Sequence, residues 1–323
     1  MTADSVWSND VRASASERSR AGGPRGSRLV PYAFLTPAAV LFVLFMVAPI
    51  AYTVYLSVVR EQVSGLGLGD SARRTVFVGL DIYATVVADA QLWRSGARVL
   101  IYGLLLVPTM LGLALLFALL LDVPRVRFAR FSRLSIFLPY AIPGVLATVL
   151  WGFLYLPSVS PLHDALRWLG LPEVDLLSGT TIFGALANIG VWGGIGFNMI
   201  VIFTALQAVP HEIHEAARVD GCSEWQLAWR IKVPLVTPAL VLTSVFAIIT
   251  TLQVFSEPTT LSPLTNTIPS SWSPLMKIYR DAFARNNTNI AAATTILVAL
   301  VTLVFSFGFL RIVRSQAFAE DRG

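Results

Sequence analysis

The chain has 323 residues, of which 55% are hydrophobic and only 13% are charged, and its mean hydropathy is +0.68. Soluble domains carry about 25% charged residues, so this composition excludes a soluble globular protein and indicates an integral membrane protein. The single Cys222 excludes an internal disulfide. We attribute the net charge of +5 to the basic loops that orient a membrane protein, rather than to nucleic-acid binding.

The chain begins with a polar, arginine-rich segment, residues 1–28, which predicts a disordered cytoplasmic tail. The apolar run that follows extends to about residue 59, which is too long for the apolar core of a signal peptide. We therefore divide the chain into this tail, a transmembrane domain over 29–315 and a cytoplasmic C-terminal tail over 316–323.

Six apolar segments are long enough for a helix to cross the bilayer core, which takes about 20 residues. Backbone polar groups find no partners in hydrocarbon, so each segment is predicted to be a helix. The fold class is an all-α membrane protein with six transmembrane helices. The segments are 32–58, 97–121, 134–156, 181–206, 237–257 and 290–312.

The basic residues predict the orientation of these spans, because loops on the cytoplasmic side are enriched in Lys and Arg. With the N-terminus inside, 15 of the 24 basic residues lie on the inner side. Both termini and the loop 207–236 are then cytoplasmic. The loop 122–133 is the strongest evidence for this orientation, because it holds four arginines: Arg125, Arg127, Arg130 and Arg133. The outer loop 60–96 contains a Gly-rich turn, GLGLGD, and a predicted short helix, DIYATVVADAQLW.

The cytoplasmic loop is more patterned than a passive connector, since residues 211–238 read HEIHEAARVDGCSEWQLAWRIKVPLVTP. Pro210 suits the first position of a helix, and Glu215 lies near the N-terminal end, where the helix dipole favours a negative charge. Apolar side chains recur at helical spacing. They are Ile213, Ala216 and Ala217.

Gly221 predicts a left-handed stop for this first helix. Ser223 and Gln226 form a capping-box pattern that begins a second helix, and Pro234 is predicted to close it. The apolar spacing repeats at Trp225, Ala228 and Trp229. The loop is therefore predicted to be a rigid helix–corner–helix.

The same residues resemble the E-A-A-x-x-D-G…I-x-x-P signature of the membrane permease subunits of bacterial ABC importers. The matching residues are Glu215, Ala216, Ala217, Asp220, Gly221, Ile231 and Pro234. The segments LTPAAVLFVLFMVAPIAYTVYLS, FVGLDIYATVV, LPYAIPGVLATVLWGFLY and ALQAVPHEIHEAA are similar to carbohydrate-type permeases. The chain departs from the family pattern at Cys222, Ala228 and Val233, and at 258–270, where LSPLTNTIP replaces a Thr-x-Gly-Gly-Pro turn.

The resemblance implies the type I ABC importer permease (MetI-like) fold, with the loop acting as the coupling helix that docks on a dimer of ABC ATP-binding subunits. It assigns coupling to Glu215, Ala216, Ala217, Asp220 and Gly221. It assigns the structure of the loop to Pro210, Ser223, Trp225, Trp229, Ile231 and Pro234. It also implies a second permease subunit, expected to be non-identical, an extracytoplasmic solute-binding protein, a sugar-like substrate and a multi-pass location in the bacterial cell membrane.

The chain contains no Gly-Lys-Ser/Thr triplet, which a phosphate-binding loop requires. We therefore expect no enzyme activity, no metal and no cofactor on this chain, and ATP and Mg on the partner ATPase subunit. His211 and His214 do not match the H-E-x-x-H zinc pattern, because residue 215 is Glu, and they are interpreted as surface histidines.

The substrate path is expected to use polar and aromatic side chains within the spans. The candidates are Trp151, Tyr155, Asn188, Trp192, Asn198, Gln253 and Glu257. Some of the candidates have open alternatives. Asn188 and Trp192 could serve in helix–helix packing, and Trp151 and Tyr155 could belong to the interfacial aromatic belt. Glu257 could be a solvated residue at the end of a span. Pro139, Pro143 and the glycines of GVWGGIG allow broken or closely packed helices around a cavity.

Two other classes of protein remain as alternatives. A secondary transporter or channel would work without an ATPase, but ion-coupled carriers keep ionisable residues in mid-membrane, and these spans hold almost none. A membrane-embedded enzyme would need a cluster of acid, base or metal-binding residues, and the sequence shows no such cluster.

Overall fold

The structure is a computed structural model that describes residues 30–63, 73–123, 128–170, 172 and 174–317. Several sequence predictions lie outside these residues: the tail over 1–28, the GLGLGD turn, Arg125, Arg127 and the part of the C-terminal tail from 318 onward.

The chain divides into two units, residues 1–52 and 53–323. The first predicted span is confirmed as helix, in the order α1 (Val30–Phe42), a π-helical turn (Val43–Val47) and α2 (Ala48–Leu56). The apolar side chains of the first unit are exposed, and Phe34 is 82% accessible. A helix surface of this kind is stable only in an apolar medium, so it suits contact with lipid.

The described residues of the second unit form helices, loops and one antiparallel pair of strands, β1 (Val59–Val63) and β2 (Arg73–Phe77), in which Glu61 is paired with Thr75. Its helices follow in the order α3 (Asp81–Ala88), α4 (Ala90–Leu121), α5 (Ala129–Phe137), α6 (Gly144–Tyr155), α7 (Pro161–Trp168), α8 (Thr181–Gln207), α9 (His211–Val219), α10 (Glu224–Leu227), α11 (Val233–Leu235), α12 (Thr237–Leu252), α13 (Ser256–Leu261), α14 (Pro274–Tyr279) and α15 (Thr288–Ala317).

The predicted helix in DIYATVVADAQLW is present as α3, and α4 begins seven residues before the predicted span at 97. The early start has a local cause: the side chain of Asp89 caps α4 by accepting a hydrogen bond from the N–H of Gln91 at 2.8 Å. An N-cap of this kind satisfies one of the free backbone donors at the start of a helix.

Helices α4 and α8 pack along their length and form the centre of the second unit. Gly190 and Gly194 on α8 face α4, where an added Cβ would lie 2.7 Å from Leu106 and 2.6 Å from Met110. Small residues let helix backbones approach closely, so the GVWGGIG segment packs closely, as predicted.

The predicted third span, 134–156, is not one straight helix. Helix α5 continues as a 3₁₀ turn to Ala141, Ile142 is extended, and α6 leaves at an angle of 97°. Pro143 causes the break, because it lacks an N–H and disfavours a helical conformation at the preceding residue.

The predicted fifth span, 237–257, is also not one continuous helix. Helix α12 ends at Leu252, and Glu257 belongs to the separate helix α13. Pro234 does not close the preceding helix. The chain passes through a π-helical turn at Ala228–Lys232, then α11, and bends by 65° at Val236. Within the part of the chain that the structure describes, four helices can cross a membrane by length and composition, or up to six if each bent pair is one span.

Candidate functional site

The predicted helix–corner–helix is present between Pro210 and Leu235, and we call it the elbow. Pro210 is the N-cap of α9 rather than its first residue, since its ψ of 139° lies outside the helical range. At the corner, Gly221 has a φ of +81°, the left-handed conformation that glycine adopts without strain.

The second helix of the elbow begins with the predicted capping box. The N–H of Gln226 donates to Ser223 Oγ at 3.3 Å, and the N–H of Ser223 donates to Gln226 Oε1 at 2.9 Å. Across the corner, Arg218 forms an ion pair with Glu224 at 3.0 Å. The ion pair joins α9 to α10, and the capping box fixes the start of α10, so the corner has a defined geometry.

The elbow presents much of its sequence signature outward. Glu215 has a side chain that is 70% accessible, and Ala216, Asp220 and Gly221 are also exposed. The predicted apolar face is divided, because Ala217 is buried while Ile213 and Ala216 are exposed. The most exposed large apolar side chains on the elbow are Val219 at 88% and Trp225 at 70%. Trp229 contacts Trp225 in a tilted arrangement, with ring centroids 5.5 Å apart.

A buried ion pair connects the elbow to the spans. Lys232 Nζ lies 2.5 Å from Asp122 Oδ2, and the two side chains are 7% and 5% accessible. The other oxygen of Asp122 accepts a hydrogen bond from Gln207 Nε2 at 2.7 Å. Since Asp122 caps the end of α4 and Gln207 ends α8, these three residues join both helices to the elbow, and we call them the inner joint.

Sequence reasoning did not find the inner joint. The only signal was a lysine between apolar residues in IKVP, and nothing in the sequence named its partner 110 residues away. Ile231, which precedes it, is half-buried, and Pro234 is exposed.

A cavity of about 630 Å³ lies between the elbow and the ends of α4 and α8. The inner joint lines it together with His214 and Arg133. Partial burial, together with the charge of Lys232, lowers the pKa of His214 below its ordinary value, although Asp122 acts in the opposite direction. The cavity therefore favours the neutral form of this histidine.

A second cavity of about 640 Å³, which we call the chamber, lies between α4, α6, α8 and α12. Three of the predicted path residues line it: Asn198, Gln253 and Glu257. Tyr140 and Phe197 also line it and stack with ring centroids 5.1 Å apart.

The other four predicted path residues pack beside the chamber and do not line it. Tyr155 donates a hydrogen bond to the carbonyl of Ala185 at 2.9 Å and accepts one from Asn188 at 2.9 Å. Trp151 contacts Trp192, with centroids 5.9 Å apart. Helix–helix packing, the alternative considered for Asn188 and Trp192, accounts for these contacts.

The opposite end of α4 carries a larger charged cluster, which we call the outer network. Lys277 is 1% accessible and lies 2.6 Å from Asp281 and 3.0 Å from Asp89. Asp281 is also paired with Arg280 at 3.0 Å and Arg285 at 3.3 Å. The network fixes α14 and the turn before α15 to the start of α4.

These features define a class: a helical membrane protein with a rigid elbow at one end of its spans and a chamber between them. A family model described as "Binding-protein-dependent transport system inner membrane component" matches residues 91–317. The chain belongs to this family, the inner-membrane permeases of ABC importers. The sn-glycerol-3-phosphate transport system permease protein UgpA of Rhizobium meliloti is 30% identical over 290 residues, which cover 88% of this chain and 94% of that protein.

Two solved structures of a bacterial alginate ABC transporter have the same fold. One is an importer of the acidic polysaccharide alginate (TM-score 0.75, covering 88% of this chain and 95% of that chain). The other is in complex with an alginate pentasaccharide-bound periplasmic protein (TM-score 0.77, covering 89% and 95%). Both are 23% identical to this chain. Together with the family match, they identify the helical MetI-like permease fold.

Proposed function

We propose that this chain forms half of the translocation pathway of an ATP-driven importer for a sugar or related polar solute. In this proposal it has six spans, two of them bent, with both termini in the cytoplasm. The observation that carries the proposal is the elbow, whose signature residues Glu215, Ala216 and Asp220 are exposed while the inner joint ties its base to α4 and α8.

The partners follow from the family and from this geometry. A dimer of ATP-binding subunits, which holds ATP and Mg, docks on the exposed face of the elbow through Glu215, Ala216, Asp220 and Gly221, while Ala217, also assigned to coupling, is buried behind this face. A second, non-identical permease completes the chamber, and an extracytoplasmic binding protein delivers the solute. The complex of the related alginate transporter with a periplasmic protein supports the last of these partners.

The mechanical requirement supports a rigid elbow. Changing a two-state gate from 1:99 to 99:1 takes about 5.5 kcal/mol of differential binding. A flexible connector would lose that free energy to its own disorder. The corner hydrogen bonds and the inner joint instead make any displacement of α9 a displacement of the ends of α4 and α8.

The test is Glu215→Lys in the complete transporter reconstituted in proteoliposomes, with Glu212→Lys as the matched control. Both glutamates are exposed on α9, but only Glu215 belongs to the signature. We expect Glu215→Lys to abolish uptake and the stimulation of ATPase activity by the loaded binding protein, and Glu212→Lys to retain both. Equal activity of the two variants, or uptake that needs an ion gradient and no ATPase, would contradict the proposal.

A further inference from the structure

The described lining of the chamber holds a negatively charged group and no positively charged one. Among the described residues that line it, Glu257 is the only carboxylic acid, and Lys, Arg and His are absent from that lining. The remaining polar lining groups are hydroxyls and amides. The carboxylate of Glu257 has no ion pair or hydrogen bond within the described part of the chain, so its negative charge is left to interact with whatever occupies the chamber.

Three polar side chains of the chamber can only accept hydrogen bonds from a solute. Asn198 uses its amide hydrogens on the carbonyl of Gly194 at 2.8 Å and on Met110 Sδ at 3.6 Å. Thr250 and Thr251 donate to carbonyls of their own helix at 3.0 and 2.6 Å. Since their donors are occupied, these three side chains can offer only acceptor lone pairs to a solute.

The hydroxyl and amide donors of Tyr102, Tyr140, Gln253 and Ser256 also line the chamber, so its described lining is polar in both senses but holds a carboxylate and no cation. Such a lining discriminates between solutes by their charge. Hydroxyl groups donate hydrogen bonds to such a lining, and a charged acceptor such as Glu257 makes the stronger bonds. A phosphate or carboxylate brings only acceptors and a like charge, and repulsion between like charges is larger in a cavity than in bulk water. A cation to pair with an anionic solute would have to come entirely from the second permease.

We propose that the solute is an uncharged, polyhydroxylated compound and that Glu257 accepts hydrogen bonds from its hydroxyl groups. The inference rests on the proposed import function and specifies its substrate class. Family membership alone would not predict it, because the relatives described above include permeases for a phosphate ester and for an acidic polysaccharide.

The experiment uses the complete transporter, with its ATPase, second permease and binding protein, in proteoliposomes. The probes are radiolabelled sorbitol, maltose and trehalose as neutral polyols and sugars, glycerol 3-phosphate and galacturonate as anions, and glucosamine as a cation. We expect ATP-driven uptake of a neutral probe and no uptake of either anion. Preferred uptake of an anion or of glucosamine would overturn the charge assignment while leaving the import function intact.

The role of Glu257 is tested with Glu257→Gln, which keeps the shape and removes the charge. We expect the KM for the neutral solute to rise about tenfold, the difference between a charged and a neutral acceptor. Asp164→Asn is the matched control, since Asp164 is exposed on α7 away from the chamber, and it should leave uptake unchanged. An unchanged KM in Glu257→Gln, or new uptake of glycerol 3-phosphate, would overturn the role of Glu257.

If wild-type proteoliposomes show uptake without ATP, driven by an ion gradient, the proposed import function fails, and the inference that rests on it fails too. Failure of the import function can be distinguished from failure of the charge assignment, because the charge assignment is tested only by which probe enters when ATP is hydrolysed.

Discussion

Helix α4 joins two buried charged clusters that differ in composition. The inner joint pairs one carboxylate, Asp122, with one ammonium group, Lys232, and adds the neutral amide of Gln207. The outer network places Lys277 between two carboxylates and supplies two further cations to Asp281. The inner joint therefore has a single ion pair, whereas the outer network keeps ion pairs when any one of its basic members is removed.

The difference fits the mechanical roles proposed for the two ends. A buried charge without its partner is strongly destabilising, so the inner joint holds the elbow only in the arrangement where the pair is formed. Several alternative pairs around one carboxylate tolerate small displacements. We infer that the inner joint defines which arrangement of the elbow is transmitted to α4 and α8, and that the outer network holds α14 and α15 against α4 throughout.

The largest effect is expected from Lys232→Met, which leaves Asp122 buried without a cation. Removing one member of a buried pair costs about 3–5 kcal/mol, so the apparent Tm in detergent should fall steeply. Arg230→Met, which removes an exposed charge two residues away, is the control and should leave the Tm nearly unchanged.

The double variant Asp122→Asn with Lys232→Met completes the test of the inner joint. Removing both charges should recover much of the loss, because no uncompensated charge remains buried. If the double variant is less stable than Lys232→Met, the ion pair is not what holds the elbow to α4.

A smaller loss is expected from Lys277→Met in the outer network. Asp281 keeps Arg280 and Arg285, so the cost should be that of lost charged hydrogen bonds, about 1.5–3 kcal/mol. Thermal unfolding of the two lysine variants under the same conditions measures the comparison directly. A Lys277→Met variant as unstable as Lys232→Met would show that the outer network is not redundant.

A local change at the inner end is Gly221→Ala, which acts through backbone conformation alone. A Cβ at this position has no atom within 4 Å, but the φ of +81° costs an L-residue about 1–2 kcal/mol. We expect a modest fall in Tm and a larger loss of ATPase stimulation. Gly221→Asn should be milder, since Asn tolerates this conformation, and Gly112→Ala, in open space on helix α4, should stabilise the protein.

The sequence was most informative where structure depends on local rules. The left-handed turn at Gly221 and the capping box of Ser223 and Gln226 were both predicted, because each is determined by a few adjacent residues. A broken helix at Pro143 was allowed for, but the bend of 97° was not predicted, since hydropathy does not report bending.

What depends on contacts between distant segments was not predicted. The partner of Lys232 lies 110 residues earlier in the chain. Asn188 contacts Tyr155 rather than lining the chamber, and this depends on how α6 packs on α8. The same limit explains why three of seven path candidates line the chamber while the other four, all chosen on residue type, pack beside it.

The smallest effects are expected from pH, and they distinguish the two ends of α4. Partial burial lowers the pKa of His214, with a further contribution from Lys232, so the unfolded chain binds a proton first as the pH falls. The stability contributed by neutral His214 is present above the ordinary value of 6.5 and is lost as the pH falls below it.

At the outer end, burial raises the pKa of Asp89, but the hydrogen bond from Lys277 and other interactions outweigh it and leave the pKa lowered. Its contribution is present above the ordinary value of 3.8 and is lost only as the pH falls below it. Tm measured against pH should therefore show a small decline below pH 6.5 that His214→Gln removes and Asp89→Asn does not. A decline in that range that survives His214→Gln would place the titrating group elsewhere and remove the pH dependence from the inner end.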